Sequence, residues 1–141
     1  MITVKAIYFG SRSFFDTINV KGKEQKVFVK LHEFRDVIDV NGNIIAERIE
    51  CKDSGSYENL QQFKKYHITA SEITSERILR PSKCEMIIES DEDNQGIQEA
   101  VNFFKSDLLD EATFIKRMKE FSNEAVARYI KSIINKSKNK L

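Results

Sequence analysis

Asn41-Gly42 constrains this chain more than any other pair of residues. Asn-Gly is the strongest short signal for a tight two-residue hairpin, because both central positions need positive φ. Apolar residues alternate on either side of it, from Phe34 to Val40 going in and from Asn43 to Cys51 coming out. If the turn is tight, Val40 faces Asn43 and the whole register follows, with side chains alternating between faces. One face then carries Phe34, Ile38, Val40, Ile45 and Ile49, with Asp36 opposite Glu47. The other carries Val37, Ile44 and Ala46, and ends in a checkerboard in which Arg35 stands opposite Arg48 and Glu33 opposite Glu50. Directly opposed like charges destabilise and diagonal unlike charges help, each by roughly 0.2–1 kcal/mol. Such a lattice reads either as a solvated sheet face with compensating ions or as a polar site on the sheet surface.

Strand patterns lead up to this hairpin. Ile2 to Phe9 alternates, Gly10 to Ser13 interrupts, Phe14 to Val20 resumes, Lys21-Gly22-Lys23 turns, and Val27 to His32 alternates again. Lys21, Lys23, Lys26 and Lys30 read as edge and turn lysines that discourage strand pairing, with phosphate contact as the alternative. After a loop at 52–56, Ser56 reads as a helix N-cap and Tyr57 to Tyr66 as a short helix. Residues 67–80 fit no single pattern, and Lys83 to Ser90 reads as a last strand. From Asp91 the period becomes helical, with stripes at Ile97, Val101, Phe104 and Leu108, then Phe114, Ile115, Met118 and Phe121, then Val126, Tyr129, Ile130, Ile133 and Ile134. Asp110 and Ser122 read as the caps between helices. The expectation is an α+β fold in one domain, 1–141: an antiparallel β-meander of five to six strands over residues 1–90 with one short helix, helices over 91–136 packed on it, and a basic tail at 137–141.

Charge says more about partners than the net value of +1. Residues 84–111 hold one basic and nine acidic side chains, whereas 112–141 hold eight basic and two acidic. Segregation of this kind favours capture of a charged partner over bulk solubility alone. The acids of 91–93 and 110–111 precede helices, where negative charge suits the positive end of the macrodipole. Two cysteines, Cys51 and Cys84, show no metal or disulfide spacing and read as reduced core residues. No apolar run reaches the ~20 residues a membrane helix needs, and Met1 to Lys5 starts directly in strand-like alternation, so the expected location is the cytoplasm.

Asp36 and Glu50-Cys51-Lys52 carry one resemblance. An acid on one strand followed, after a turn, by acid-x-Lys on the next resembles the active-site hairpin of the PD-(D/E)XK nucleases, and Gln62 to Tyr66 is similar to the Q-x-x-x-Y element of their RecB-like branch. The resemblance implies that Asp36 and Glu50 hold Mg²⁺, that Lys52 orients or activates the attacking water, and that Gln62 supports it. In the tight-turn register Asp36 and Glu50 stand about 10 Å apart along the strand, so a shared ion would need a bulge.

The basic residues support a different reading. Arg128 and Lys131 on the last helix, together with Arg35 and Arg48 on the sheet, suit nucleotide or nucleic-acid phosphate. The leading expectation is therefore a non-enzymatic binding or inhibitory protein, homo-oligomeric and needing no cofactor. It would capture an anionic ligand or a macromolecular partner through Arg35, Arg48, Arg128 and Lys131, as small regulators and phage counter-defence proteins do. The alternative is the Mg²⁺-dependent nuclease.

Overall fold

The computed structural model describes residues 1–53, 59–73 and 83–139. Five strands, β1 (Ile2–Val20), β2 (Lys23–Asp39), β3 (Ile44–Lys52), β4 (Lys65–Glu72) and β5 (Lys83–Glu89), precede three helices, α1 (Asp91–Lys105), α2 (Glu111–Met118) and α3 (Glu124–Lys138). The α+β expectation holds, with differences inside it. All strand pairs are antiparallel, but the order is β3-β2-β1-β4-β5. The first three strands form a meander; β4 then returns to the free side of β1 instead of extending it. Two expected breaks are absent, so that residues 2–9 and 14–20 are one strand and 27–32 continues into the hairpin.

The reason lies in bulges, which bend a strand without ending it. Gly10 has φ 129° where the β1–β2 register slips between Tyr8 and Gly10. Asp36 has φ 58°, the left-handed conformation that Asp tolerates better than most residues, where β2 slips against β1 between Lys5 and Ile7. The expected β2–β3 register is nonetheless correct: Phe34 faces Ile49, Arg35 faces Arg48, and Val37 faces Ala46. Only the turn differs. Asp39 accepts from the backbone of Asn41, Gly42 and Asn43, and a slip at Ile38–Ile44 leaves Val40, Ile44 and Ile45 exposed.

The sheet curls until its edge strands meet. Cys51 on β3 and Cys84 on β5 are joined by a disulfide with Cα atoms 6.1 Å apart, which corrects the expectation of two reduced thiols. Spacing along the chain gave no hint of this, because the pairing depends on opposite edges of a curled sheet. Val4, Ala6, Tyr8, Phe34, Val37, Ile49, Tyr66 and Ile68 fill the concave side. The helices cover Ile7 and Phe9 on the other face, burying Ile97, Phe104, Phe114, Met118 and Ile130 against them. Gly96 on α1 lets the Phe121 ring lie against the helix backbone, where a methyl group would collide with it.

The expected short helix at 57–66 is not formed over its described part. Asn59 and Phe63 take positive φ, and Phe63 donates its backbone N–H to the Tyr8 carbonyl at 2.7 Å, which draws the segment onto β1 before β4 begins at Lys65. Ser56 lies outside the described residues. Asp110 caps α2, but Asn123, not Ser122, caps α3 by accepting from the Val126 N–H at 2.8 Å. The expected tail from 137 onward is partly helical, since α3 runs to Lys138 and its ammonium reaches Asp107 at 2.8 Å.

Candidate functional site

The four arginines and lysines expected to bind an anion fall into two groups. Arg35 and Arg48 belong to the sheet lattice. Arg48 donates to Glu33 at 2.5 Å and to Glu50 at 2.6 Å, Arg35 donates to Glu33 at 3.0 Å, and Arg12 reaches Glu50 at 3.2 Å. The checkerboard therefore forms as an ion network of three guanidinium groups on two carboxylates. Glu50 is buried between Arg12 and Arg48, and stripping either partner from a buried charge is costly. Arg35 also lies 4.4 Å from the centre of the Tyr129 ring and 5.5 Å from that of Phe9, rings that stack on each other, so it fastens β2 to α3. Within this lattice the arginines hold the molecule together.

Arg128 and Lys131 lie on a different surface, on α3. They line a cleft of about 420 Å³ between α2 and α3, together with Lys116, Lys119, Glu111 and Glu124. Four cations converge there on two carboxylates. Arg128 pairs with Glu124 at 3.3 Å and Lys131 with Glu111 at 3.5 Å, while no carboxylate among the described residues pairs with Lys116 or Lys119. The Asn135 amide, with Lys131 behind it, holds the Glu111 carboxyl below its ordinary range, which favours its ionised form. The charge follows from local pattern: α2 and α3 bury Phe114, Ile115, Val126 and Ile130, and the helical period turns the intervening basic residues outward along the groove.

The residues that resemble a nuclease hairpin do not come together. Asp36 stands opposite Glu47, as the register requires, with Glu50 three residues further along β3. Its two carboxylate oxygens accept from the Asn123 backbone N–H at 3.2 Å and side-chain amide at 3.0 Å. Burial pushes the Asp36 carboxyl up, against lowering by those bonds and by Lys65. Glu50 is meanwhile held by arginines, Lys52 is exposed, and Gln62 donates to the Phe9 carbonyl at 3.1 Å. As arranged, Asp36 and Glu50 do not fit a shared Mg²⁺, and among the described residues no group of three His, Cys, Asp or Glu side chains is placed to hold a metal. At the bulge, the Asp36 carboxylate meets Asn123 at the start of α3.

One polar chain escaped sequence reasoning. The Tyr8 hydroxyl lies 2.9 Å from His32 Nδ1, and His32 Nε2 lies 3.0 Å from Asp53. Burial pushes the Tyr8 phenol up, partly opposed by the Ser11 hydroxyl. The phenol and imidazole are both buried, so this chain satisfies interior polar groups at the mouth of the sheet. The inward alternation of Val4, Ala6 and Tyr8 was its only trace in the sequence.

The chain was compared with protein families, curated proteins and solved structures, and none matches. No helix among the described residues is long and apolar enough to cross a membrane.

Proposed function

We propose that this protein is a non-enzymatic binding protein that captures a phosphate-bearing anion in the cleft between α2 and α3. One observation carries the reading: Lys116, Lys119, Arg128 and Lys131 converge on a space where, among the described residues, Glu111 and Glu124 are the counter-charges. An incoming polyphosphate would take the Lys116 and Lys119 ammonium groups first, then compete with Glu124 for Arg128 and with Glu111 for Lys131. Charge-assisted hydrogen bonds of this kind are about twice as strong as neutral ones. Arg35 and Arg48, committed to Glu33 and Glu50, support the fold in this reading and do not touch the ligand.

Thermal denaturation with and without a nucleoside triphosphate or inorganic tripolyphosphate tests the proposal. A ligand present at 100 times its dissociation constant stabilises the folded state by about 2.7 kcal/mol. The melting temperature should rise with ligand and rise less in Arg128→Ala and in Lys119→Gln. An equal rise in wild type and both variants, or no rise at low salt, would overturn it.

A further inference from the structure

We infer that the β1–β2 ribbon is a stacking platform for single-stranded nucleic acid, a second site on different elements from the α2–α3 cleft. The ribbon follows from where the neighbouring strands stop. β4 covers β1 only from Ile2 to Ile7, and β3 covers β2 only from Leu31 onward. Beyond those points β1 and β2 continue as a pair, from Arg12 opposite Leu31 to Val20 opposite Lys23, closed by Lys21 and Gly22 at positive φ. Eight residue pairs beyond the last one backed by β3 give an arm roughly 27 Å long at ~3.4 Å per residue. Every residue from 11 to 30 is exposed or half-buried. A two-stranded ribbon is marginally stable at best in water, so one of this length with aromatic rings in solvent has the character of a surface waiting to be covered.

What it suits follows from the side chains. Phe15 and Phe28 face each other across the ribbon with ring centres 5.5 Å apart, and they are 72% and 62% exposed. Alternation puts Lys26 and Lys30 on the same side as Phe28, each two residues away, about 7 Å along the strand. Ser13 and Thr17 are their cross-strand partners. The result is an aromatic pair with an ammonium group on either side and hydroxyls beside them. Residues 12–30 hold five basic and two acidic side chains, a balance complementary to a polyanion. A base laid on the Phe15–Phe28 rings would direct its two flanking phosphates toward Lys26 and Lys30. Stacking needs the π-face of an unpaired base, which a duplex keeps inside its helix; this favours a single strand. A second copy of the chain would bring two basic ribbons together, which the same charge disfavours.

Fluorescence anisotropy decides it, using labelled oligothymidine and oligouridine of about fifteen nucleotides and a duplex of equal length. The expected result is preferential single-strand binding that weakens from about 50 to about 200 mM salt. Phe15→Ala and Phe28→Ala should each weaken it by about 5- to 150-fold, the range that base stacking supplies. Phe28→Tyr should restore binding and Phe28→Leu should not, a split that a merely apolar contact would not produce. Lys26→Gln and Lys30→Gln should each reduce the salt slope by about 0.7. Circular dichroism of the variants checks that the ribbon survives, and Phe28→Tyr keeps the test open should the alanine variants unfold. Equal affinity for duplex, or indifference to Phe28→Leu, would overturn the inference. So would no binding, whether sedimentation shows a monomer or a dimer that Phe15→Ala disperses. Measured with excess tripolyphosphate to fill the α2–α3 cleft, the difference between Phe28→Tyr and Phe28→Leu should persist, which separates this site from the cleft.

Discussion

Asp36 joins two parts of the molecule through Asn123. The asparagine caps α3 with its side-chain oxygen and gives its amide and backbone N–H to the Asp36 carboxylate, so one residue serves both the helix and the sheet. Asn123→Ala removes the cap and one of the carboxylate's donors, which should cost about 2–3 kcal/mol at neutral pH. The cost should depend on pH. Burial raises the Asp36 carboxyl above its unfolded value, and the Asn123 side chain opposes that rise. An acid raised in the folded state binds its proton more tightly when folded, so its contribution to stability falls as pH rises from the unfolded value through the folded one. Removing the opposing bond widens that window. The deficit of Asn123→Ala should therefore shrink as pH is lowered through the raised Asp36 value, and denaturant unfolding at several pH values measures it. A deficit independent of pH would mean that Asp36 does not feel Asn123. The sequence reading placed the α3 cap one residue early, at Ser122, and gave Asp36 no part in it. The Asp36 carboxylate that holds Asn123 comes from β2, 87 residues away in the chain, a contact that no local pattern carries.

The long strands divide into a supported half and an unsupported half. Residues Val4 to Ile7 of β1 lie between β2 and β4 and bury Val4, Ala6 and Ile7, whereas Ser13 to Val20 has β2 alone. Local opening is cheapest where few apolar contacts must be broken. Amide hydrogen exchange should show the ribbon amides from 13 to 29 exchanging well before those of 4–7, and uniform protection along β1 would contradict the two-part description. The turn at Lys21-Gly22 and the checkerboard of Glu33, Arg35, Arg48 and Glu50 were both legible, since each depends on residues close in sequence or linked by one hairpin. The continuity of β1 through Gly10 was not. A glycine between alternating runs looks the same whether it ends a strand or bends one.

Closure of the sheet rests on contacts that no local pattern carries. The Cys51–Cys84 disulfide spans 33 residues and ties the two edge strands, so it restrains the unfolded chain as well as the curl of the sheet. The chain-entropy relation for a loop of this length gives roughly 3–4 kcal/mol. Cys51→Ser, or reduction of the wild type, should lower stability by about that amount or somewhat less. Thiol titration of the denatured, unreduced protein should find no free sulfhydryl; two titratable thiols would contradict the bridge. Period and turn chemistry were enough to establish the α+β class, the β2–β3 register, the last strand and the three helices, because burying one face of a helix or strand imposes its repeat on neighbouring residues. Which cations are spent and which are available was settled only when the chain closed on itself. Arg35 and Arg48 met Glu33, Glu50 and the Phe9–Tyr129 rings, while Lys116 and Lys119 were left facing a groove. Partners separated by tens of residues are chosen by packing in three dimensions, and a charge written in the sequence does not name its counter-charge.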